Sequence, residues 1–277
     1  MALLFLVWLL GVWPPPLWWR DHWPRETAMM RAAGGRAGGK AGTVRPTPHT
    51  DISPLLQRMV VIGEDSRFWT HHGIDPAELA DALGIDRSRG AWASLRTLWL
   101  RRDRMRGAST ITQQLAKNLY LSPSRSLPRK VKEAVTALRL ELALPKARIL
   151  ELYLDVAEWG PGVWGVQAAS RTYFGVPASQ LDERSAAALA ATLPHPHGSN
   201  PAYRPEVMLT RRDLILARYH GVKVEIPVEE EMDTVAAPGL DSLTVMSPTG
   251  DSGEDTLQTR RTDAQRDTVD SQPDSPP

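Results

Sequence analysis

Residues 107–118 read GASTITQQLAKN, and this stretch indicates a helical fold because it contains the clearest helix start in the chain. Ser109 and Thr110 are favoured N-cap residues, since their hydroxyls accept hydrogen bonds from the unpaired amides of a first helical turn. With about 100° of rotation per residue, a helix that begins here has one apolar and one polar side. The apolar side consists of Ile111, Leu115 and Leu119. The polar side consists of Ser109, Thr110, Gln113, Gln114 and Lys117.

The polar side of this helix suits an anionic ligand. Free amides at a helix start carry partial positive charge, and the hydroxyls and the ammonium group of Lys117 add donors and a full charge. The ligand class that this indicates is phosphate-like. An ordinary amphipathic helix with a solvated polar face is the alternative that the pattern alone leaves open.

A pair of acids precedes this helix. Glu64 and Asp65 follow the apolar run of residues 59–62. A carboxylate at the end of a buried segment is a candidate general base, because partial desolvation raises its basicity. A solvated pair that caps a helix end is the simpler alternative. Nearby, His71 and His72 predict no metal site, because adjacent helical residues point in different directions and no third ligand is suitably spaced.

Another acid follows the helix. Residues 129–144 predict a helix that is apolar on most of its sides and therefore buried. One apolar stripe consists of Val131, Val135, Leu138 and Leu142, and another consists of Ala137, Leu140 and Leu144. Glu133 lies on a face that would otherwise be core, and a buried carboxylate needs a partner or a chemical role. Arg129, one turn earlier, could be that partner in a plain structural ion pair.

Taken together, four motifs in this order resemble those of the peptidoglycan glycosyltransferases, the polymerases that build cell-wall glycan from lipid II. The motifs are Glu64-Asp65-x-x-Phe68-x-x-His71-x-Gly73, Gly107-x-Ser109-Thr110-Ile111-Thr112-Gln113-Gln114-x-x-Lys117-Asn118, Arg129-Lys130-x-x-Glu133 and Ile149-Leu150-Glu151-x-Tyr153-Leu154. The resemblance covers roughly residues 46–219. Four ordered motifs are far more specific than any one of them alone.

Chain length narrows the resemblance to monofunctional biosynthetic peptidoglycan transglycosylases. Bifunctional members carry a second, penicillin-binding domain with Ser-x-x-Lys and Lys-Thr-Gly motifs, and neither motif occurs here. The resemblance implies a mainly α, lysozyme-like glycosyltransferase domain with a small membrane-dipping jaw subdomain. It implies lipid II and the growing glycan strand as substrates. Membrane lipids and other cell-wall synthesis or division proteins are expected as further partners, and nucleic acid is not.

The resemblance also implies roles for the motif residues. The GlcNAc 4-hydroxyl of lipid II would attack C1 of the donor MurNAc with inversion and release undecaprenyl diphosphate, and Glu64 matches the general base. Glu133 matches a second essential carboxylate, which organises the basic residues around the leaving group. The expected substrate-binding residues are Ser109, Thr110, Gln113, Gln114, Lys117, Arg125, Arg129 and Lys130. The expected supporting residues are Asp65, Phe68, His71, Gly73 and Asn118. No tightly bound cofactor is expected, although Mg2+ or Mn2+ could accompany the diphosphate.

Two features depart from the family pattern. Asp155 stands where members usually have Asn, so a local hydrogen bond must be rearranged, although we still expect activity. The stretch at residues 84–106 is longer than usual and holds seven arginines against two aspartates. Its tryptophans and leucines recur at helical spacing, which is typical of a membrane-interface helix and matches the expected jaw. A helix that buries two tryptophans against the main body is the alternative.

The remaining sequence predicts a membrane anchor, a linker, one domain and a tail. Residues 1–19 are apolar but are interrupted by prolines, so we expect an anchor that is short and lacks upstream residues. Residues 20–47 predict a flexible linker, and residues 48–222 predict the glycosyltransferase domain. Residues 223–277 are strongly acidic and predict a disordered tail without a catalytic role. The expected location is the bacterial inner membrane, with a single N-terminal anchor and the catalytic domain on the periplasmic side, although the basic residues after the anchor favour the opposite orientation.

Further helices are predicted at residues 129–144, 145–157, 166–174, 182–193 and 205–220. The loop at residues 158–165 contains three glycines, which would let backbone approach a substrate closely, although turn formation alone explains them. Two other functions stay open from the sequence. One is a lysozyme-like lytic muramidase or transglycosylase, which shares a helical fold and a catalytic Glu, and the other is a non-catalytic membrane scaffold.

Overall fold

The structure, a computed structural model, is mainly helical and describes residues 2–37, 43–78, 109–124 and 126–226. Within these ranges we number the helices along the chain as α1 (Ala2–Leu10), α2 (Ala28–Ala37), α3 (Pro54–Glu64), α4 (Ile111–Tyr120), α5 (Leu127–Ala143), α6 (Lys146–Val156), α7 (Val166–Phe174), α8 (Glu183–Thr192) and α9 (Glu206–Tyr219). A short antiparallel hairpin pairs β1 (Glu158–Gly160) with β2 (Val163–Trp164). Short 3-10 helices lie at Pro16–Arg20, His49–Asp51 and Ala178–Gln180.

The predicted helices are confirmed, with ends that differ by up to two residues, because local capping groups set these ends. Thr110 is the N-cap of α4, and the Oδ1 of Asp182 accepts a hydrogen bond from the Ser185 amide at the start of α8, at 2.8 Å. Gly175 ends α7 with φ 70°, a left-handed conformation that favours glycine. The mainly helical fold expected from the sequence is therefore present.

Two groups of helices form the core and position the candidate site. Helix α4 packs against α2, α5 and α6, and α8 packs against α3 and α9. Helix α8 is rich in alanine, and its buried residues are Ala186, Ala187, Ala188, Leu189, Ala190, Ala191 and Thr192. These small side chains let the neighbouring helices approach closely. The arrangement brings the C-terminal end of α3, where Glu64 lies, to the polar side of α4 and to α9.

The glycine-rich stretch at residues 158–165 is the β1–β2 hairpin rather than an irregular loop. A Cβ atom on Gly160 would lie 1.9 Å from the Tyr173 hydroxyl, so glycine is required at this position. That hydroxyl donates a hydrogen bond to the Trp159 carbonyl at 2.9 Å. The close backbone approach predicted for this stretch therefore involves the protein's own tyrosine.

The predicted flexible linker differs from the structure over much of its length. Residues 28–37 form α2, which packs against α4, and Met30 in α2 is fully buried. Farther along, the Thr47 amide donates to the buried Asp155. Composition rich in Gly, Ala and Arg suggested a linker, but the few apolar side chains in this stretch are packed into the core. Residues 38–42 lie outside the described ranges.

Helix α5 is less buried than its sequence predicts. Ala137 and Leu140, on the same side as Glu133, are fully buried, as expected. Val131, Leu138 and Leu142 are exposed instead. The expectation of burial on most sides was wrong because an apolar stripe shows only that a partner would be favourable, and the described parts of the chain leave this stripe partly uncovered.

At the N-terminus, α1 has nine residues. Among the described residues, no helix is both long enough and apolar enough to cross a membrane. The expected jaw at residues 84–106 and nearly all of the acidic tail lie outside the described residues, so these two assignments stay predictions.

Candidate active site

The first carboxylate of the candidate site is Glu64, the last residue of α3. Its side chain is 7% exposed. The Gln114 side-chain amide donates to Glu64 Oε2 at 2.9 Å, and the Arg211 Nη2 lies 3.4 Å from Glu64 Oε1. Both carboxylate oxygens therefore face donors, one neutral and one cationic. Such surroundings favour the ionised form of the carboxylate, which is the form in which a general base must start.

The orientation of Gln114 is itself determined by a neighbouring residue. The Tyr153 hydroxyl, on α6, donates to Gln114 Oε1 at 2.9 Å. Because the amide oxygen is used in this way, the amide nitrogen must point towards Glu64. Tyr153 belongs to the fourth motif and Gln114 to the second, so three motifs meet at one chain of hydrogen bonds.

The second carboxylate, Glu133, lies on the buried side of α5 between two cations. Arg129 Nη1 donates to Glu133 Oε2 at 2.9 Å, and the Lys130 ammonium donates to Glu133 Oε1. Lys130 Nζ also donates to the Ser109 hydroxyl at 2.6 Å. Two cations and one buried anion leave this cluster with a net positive charge. We call these four residues, Ser109, Arg129, Lys130 and Glu133, the cationic cluster.

Helix α4 connects Glu64 with the cationic cluster. Ser109 precedes the first turn of α4 and contacts the cluster, whereas Gln114 lies within the helix and contacts Glu64. Ser109 and Gln114 are five positions apart, which corresponds to a distance on the order of 10 Å for a mostly helical segment. Lys117 lies one turn beyond Gln114 on the same side of α4 and is partly buried. Glu64, Lys117 and the cationic cluster therefore lie along the same side of α4.

The loop after Glu64 is attached to the start of α4. Asp65 Oδ2 accepts a hydrogen bond from the Ile111 amide at 2.9 Å, and Thr110 Oγ1 donates to the Gly73 carbonyl at 2.6 Å. The Gly73 amide donates to His71 Nδ1 at 3.2 Å. His71 Nε2, 2.9 Å from Asp65, therefore carries the proton in the neutral ring and donates to that carboxylate. This network fixes the position of Glu64 relative to the start of α4.

The acids of this loop accept hydrogen bonds from protein groups, so their close approach does not require a metal ion. Asp65, His71 and Asp75 place one ligand atom each within 4.8 Å of one another. Asp75, however, accepts hydrogen bonds from Arg67 Nε at 2.6 Å and from two backbone amides. Burial alone would raise the pKa of Asp75, but the backbone amide of Glu78 and the Arg67 guanidinium lower it below its ordinary value. Protein groups therefore already occupy these atoms.

Two of the predicted substrate-binding residues take part in the cap of α4. Thr110 and Gln113 form a capping box, in which the Thr110 hydroxyl accepts from the Gln113 amide and Gln113 Oε1 accepts from the Thr110 amide. Both side chains are buried. Their position on the polar side of α4 suggested ligand contact, which stays a prediction, and the same groups cap the start of the helix.

The remaining predicted residues have the following surroundings. Phe68 is fully buried, and the ammonium group of Lys146 lies 4.3 Å from the centre of its ring. Asn118 follows Lys117 on α4 and is partly buried. Arg125 lies outside the described residues, so its expected contact with a diphosphate stays a prediction.

Arg211, on α9, is a site residue that the motifs used above do not include. Its guanidinium donates to the Gly63 carbonyl at 2.8 Å as well as approaching Glu64. The sequence contains a helical spacing that places Arg211 among apolar residues. Met208 and Ile215 lie on the same side of α9 and are buried, so Arg211 points into the protein. A buried arginine requires an acid or carbonyl partner, which predicts an ion pair but does not identify the partner.

Asp155, the departure from the family pattern, lies at the C-terminal end of α6 and is fully buried. Its Oδ2 accepts a hydrogen bond from the Thr47 amide at 2.8 Å. Burial raises the pKa of Asp155 to about 7, although the hydrogen bonds from Thr47 oppose this change. The carboxyl group is therefore part of the core and does not contact Glu64 or the cationic cluster through any described hydrogen bond.

Comparison with known proteins agrees with this geometry. A family model described as Transglycosylase matches residues 35–220. A biosynthetic peptidoglycan transglycosylase of Azoarcus sp. is 40% identical over 208 residues, which are 74% of this chain and 85% of that protein. Proteins of the same name from Thiobacillus denitrificans and Bordetella pertussis are 39% and 41% identical, over 81% and 82% of this chain and 92% and 90% of those proteins. The chain therefore belongs to the transglycosylase family.

Proposed function

We propose that this protein polymerises peptidoglycan glycan strands, with Glu64 as the general base and the cationic cluster on the leaving-group side. The family match supports the enzyme class and the use of lipid II and the glycan strand as substrates. The residue roles rest on one observation. The same side of α4 contacts Glu64 through Gln114 and contacts the cationic cluster through Ser109.

In the proposed reaction, the 4-hydroxyl oxygen of the acceptor GlcNAc forms a bond to C1 of the donor MurNAc. The bond from C1 to the diphosphate oxygen breaks, and its electron pair leaves with undecaprenyl diphosphate. Glu64 takes the proton of the attacking hydroxyl on the face of the sugar opposite to the leaving group, which inverts C1. Gln114 and Arg211 orient the carboxylate for this transfer.

The leaving diphosphate requires positive charge and hydrogen-bond donors. Arg129 and Lys130 supply charge, and Lys117 adds a further ammonium group on the same side of α4 as Gln114. Arginine fits phosphate oxygens with a planar fork, and lysine acts as a compact point charge. Glu133 holds Arg129 and Lys130 in place without cancelling their combined charge.

A divalent cation, if one takes part, would accompany the substrate diphosphate. Glu133 is already engaged with two cations, and the acids of the loop at residues 65–75 accept hydrogen bonds from protein groups. These residues do not fit a resident metal site. We therefore propose that Mg2+ or Mn2+ would bind through phosphate oxygens of the substrate.

The surroundings of Glu64 favour synthesis over lysis. A lytic muramidase needs a protonated carboxyl group that donates to the glycosidic oxygen, and such a group is typically held in an apolar pocket. Glu64 instead faces an amide donor and a guanidinium. Cleavage of neutral glycan would also leave the cationic cluster without a ligand.

The cellular setting follows from the reaction. Enzymes of peptidoglycan synthesis act at the cell envelope, and we propose that this protein works at the inner membrane with its catalytic domain on the periplasmic side. The polyprenyl chain of lipid II supports this location, because it remains in the membrane while the sugars react. Other cell-wall synthesis or division proteins are proposed as partners on the same ground.

The test is incubation of the purified full-length protein with labelled lipid II. We expect glycan polymer from the wild-type protein, and no polymer from Glu64→Gln although that variant still binds lipid II. Digestion of purified sacculi in place of polymer formation would instead establish the lytic activity. Undiminished polymer formation by Glu64→Gln would refute the assignment of the base, and a parallel reaction with chelator tests the cation.

A further inference from the structure

Helix α5 has an exposed apolar stripe on the side opposite to the cationic cluster. Val131, Leu138 and Leu142 are 43%, 41% and 88% exposed. Their spacings of seven and four residues place them within about 40° of one another around the helix axis. Glu133 points in nearly the opposite direction, at roughly 180° from this stripe. One helix therefore separates the apolar stripe from the candidate active site.

The N-terminal segment continues this apolar surface. Three basic side chains attach it along α5 by donating hydrogen bonds to backbone carbonyls. Lys132 Nζ donates to the Gly11 carbonyl at 3.0 Å, and Arg139 Nη1 donates to the Leu10 carbonyl. Arg20 Nη2 donates to the carbonyl of Ala143, at the end of α5, at 3.0 Å. The large exposed apolar residues of the segment are Leu3, Leu6, Val7, Trp8, Leu10, Trp13, Leu17 and Trp18.

The charges on this surface indicate what covers it. Residues 1–19 contain no charged side chain, and the first is Arg20. The surface thus combines apolar and tryptophan side chains with a border of basic ones, and the Lys132 ammonium lies 4.8 Å from the centre of the Trp8 ring. Tryptophans with neighbouring lysines and arginines are typical of the boundary between lipid tails and headgroups. The cations suit anionic headgroups.

A second copy of the chain fits this surface less well. A symmetric contact would bring the basic residues of both copies together, and complementary acids would be needed between them. The two acids of α5, Glu133 and Glu141, are bonded within the protein to cations of their own. Helix α1 contains no acid. The charge on the surface therefore favours an anionic partner over self-association.

From these observations we propose that a bilayer containing anionic lipid covers one continuous face, which we call the membrane face. It consists of α1, the 3-10 helix at Pro16–Arg20 and the apolar stripe of α5. The catalytic domain itself thus contributes part of its membrane contact. One consequence rests on the proposed function: since a helix with side chains is about 10 Å across, the cationic cluster would lie close to the headgroup layer, where a lipid-linked diphosphate is found.

The absence of cysteine permits a direct test with single labels. Leu142→Cys places a label on the membrane face, and Val207→Cys, at an exposed apolar position of α9, is the matched control. Each full-length variant carries an environment-sensitive fluorophore and is mixed with vesicles of phosphatidylglycerol and phosphatidylcholine. We expect a blue shift and a several-fold loss of iodide quenching at position 142 only.

Other outcomes of the labelling experiment would overturn the proposal. Unchanged quenching at position 142 while the protein floats with vesicles would mean that the catalytic domain does not touch lipid. Equal protection at positions 142 and 207 would mean that no particular face is involved. Protection at position 142 without vesicles, increasing with protein concentration, would identify a second copy as the partner.

A binding measurement provides an independent test. Leu142→Glu should weaken partition of the full-length protein into phosphatidylglycerol vesicles about tenfold, because a leucine side chain no longer enters lipid and a negative charge is added. Val207→Glu should leave the partition unchanged, and both exposed positions should tolerate the change, which circular dichroism can verify. Equal binding of the two variants would refute a role for α5. No lipid II is present, so the result does not depend on the proposed polymerase activity.

Discussion

The substitution Asp155→Asn should stabilise the protein, and increasingly so as the pH rises. Asp155 is fully buried, its Oδ2 accepts from the Thr47 amide, and its Oδ1 has no hydrogen-bond partner among the described residues. Burial raises its pKa from the ordinary 3.8 to about 7. The folded protein therefore keeps a proton on this carboxyl group at pH values where the unfolded chain has lost it.

The sign of the effect follows from this difference. The unfolded carboxyl group releases its proton near pH 4 and the folded one only near pH 7, so stability falls as the pH rises through this window. The two pKa values differ by about three pH units, and each unit corresponds to about 1.4 kcal/mol. The free energy of unfolding is therefore lower by about 4 kcal/mol above pH 7. Asn is neutral throughout and still offers an oxygen to the Thr47 amide, so the substitution removes this loss.

The assay is thermal unfolding of the wild-type protein and Asp155→Asn at pH 5 and pH 8. The free-energy advantage of the variant should grow by about 2–3 kcal/mol between these values. At pH 8 the melting temperature should be on the order of 10 °C higher. Asp213→Asn, an exposed substitution on α9, controls for the loss of one acid. An advantage of Asp155→Asn that is the same at both pH values would refute the reasoning.

Three further substitutions test the site and its support. Arg211→Ala should lower kcat about tenfold to a hundredfold and move the acidic limb of the pH–rate profile to higher pH, because it removes the cation beside the proposed base. Arg212→Ala, at the neighbouring position, is the control and should leave kcat and the pH–rate profile unchanged. Lys117→Ala should raise the KM for the lipid-linked donor about tenfold with a smaller effect on kcat, since a phosphate contact is lost; equal loss in both parameters would contradict this role. Thr110→Val should lower the free energy of unfolding by about 1–2 kcal/mol in a denaturant titration, because the capping box of α4 is broken, and an unchanged midpoint would disprove its importance.

Helix positions could be predicted from the sequence because their signals are local. Thr110 lies directly before α4, and Gly175 directly follows α7. Each acts within one turn of its own helix, so neighbouring residues suffice to locate the end. The same locality made the acids and cations of the motifs recognisable, because their spacing places them on particular sides of particular helices.

Packing over long sequence distances caused the differences. Residues 28–37 have the composition of a linker, yet Met30 is fully buried in a helix that packs against α4. Helix α5 shows the converse case. Its apolar stripe at Val131, Leu138 and Leu142 predicted burial, but the described parts of the chain leave it partly uncovered. Periodicity identifies an apolar side without identifying its partner.

The family, the helical class and the identity of the proposed base and cations follow from the amino-acid sequence, because they depend on residue type and short spacings. The groups that surround Glu64, in contrast, are known from the tertiary structure. Gln114 is 50 residues from it and Arg211 is 147 residues from it along the chain. Their meeting depends on how α3, α4 and α9 pack. The side-chain contacts that set this packing are spread over the whole core, so no local pattern encodes it.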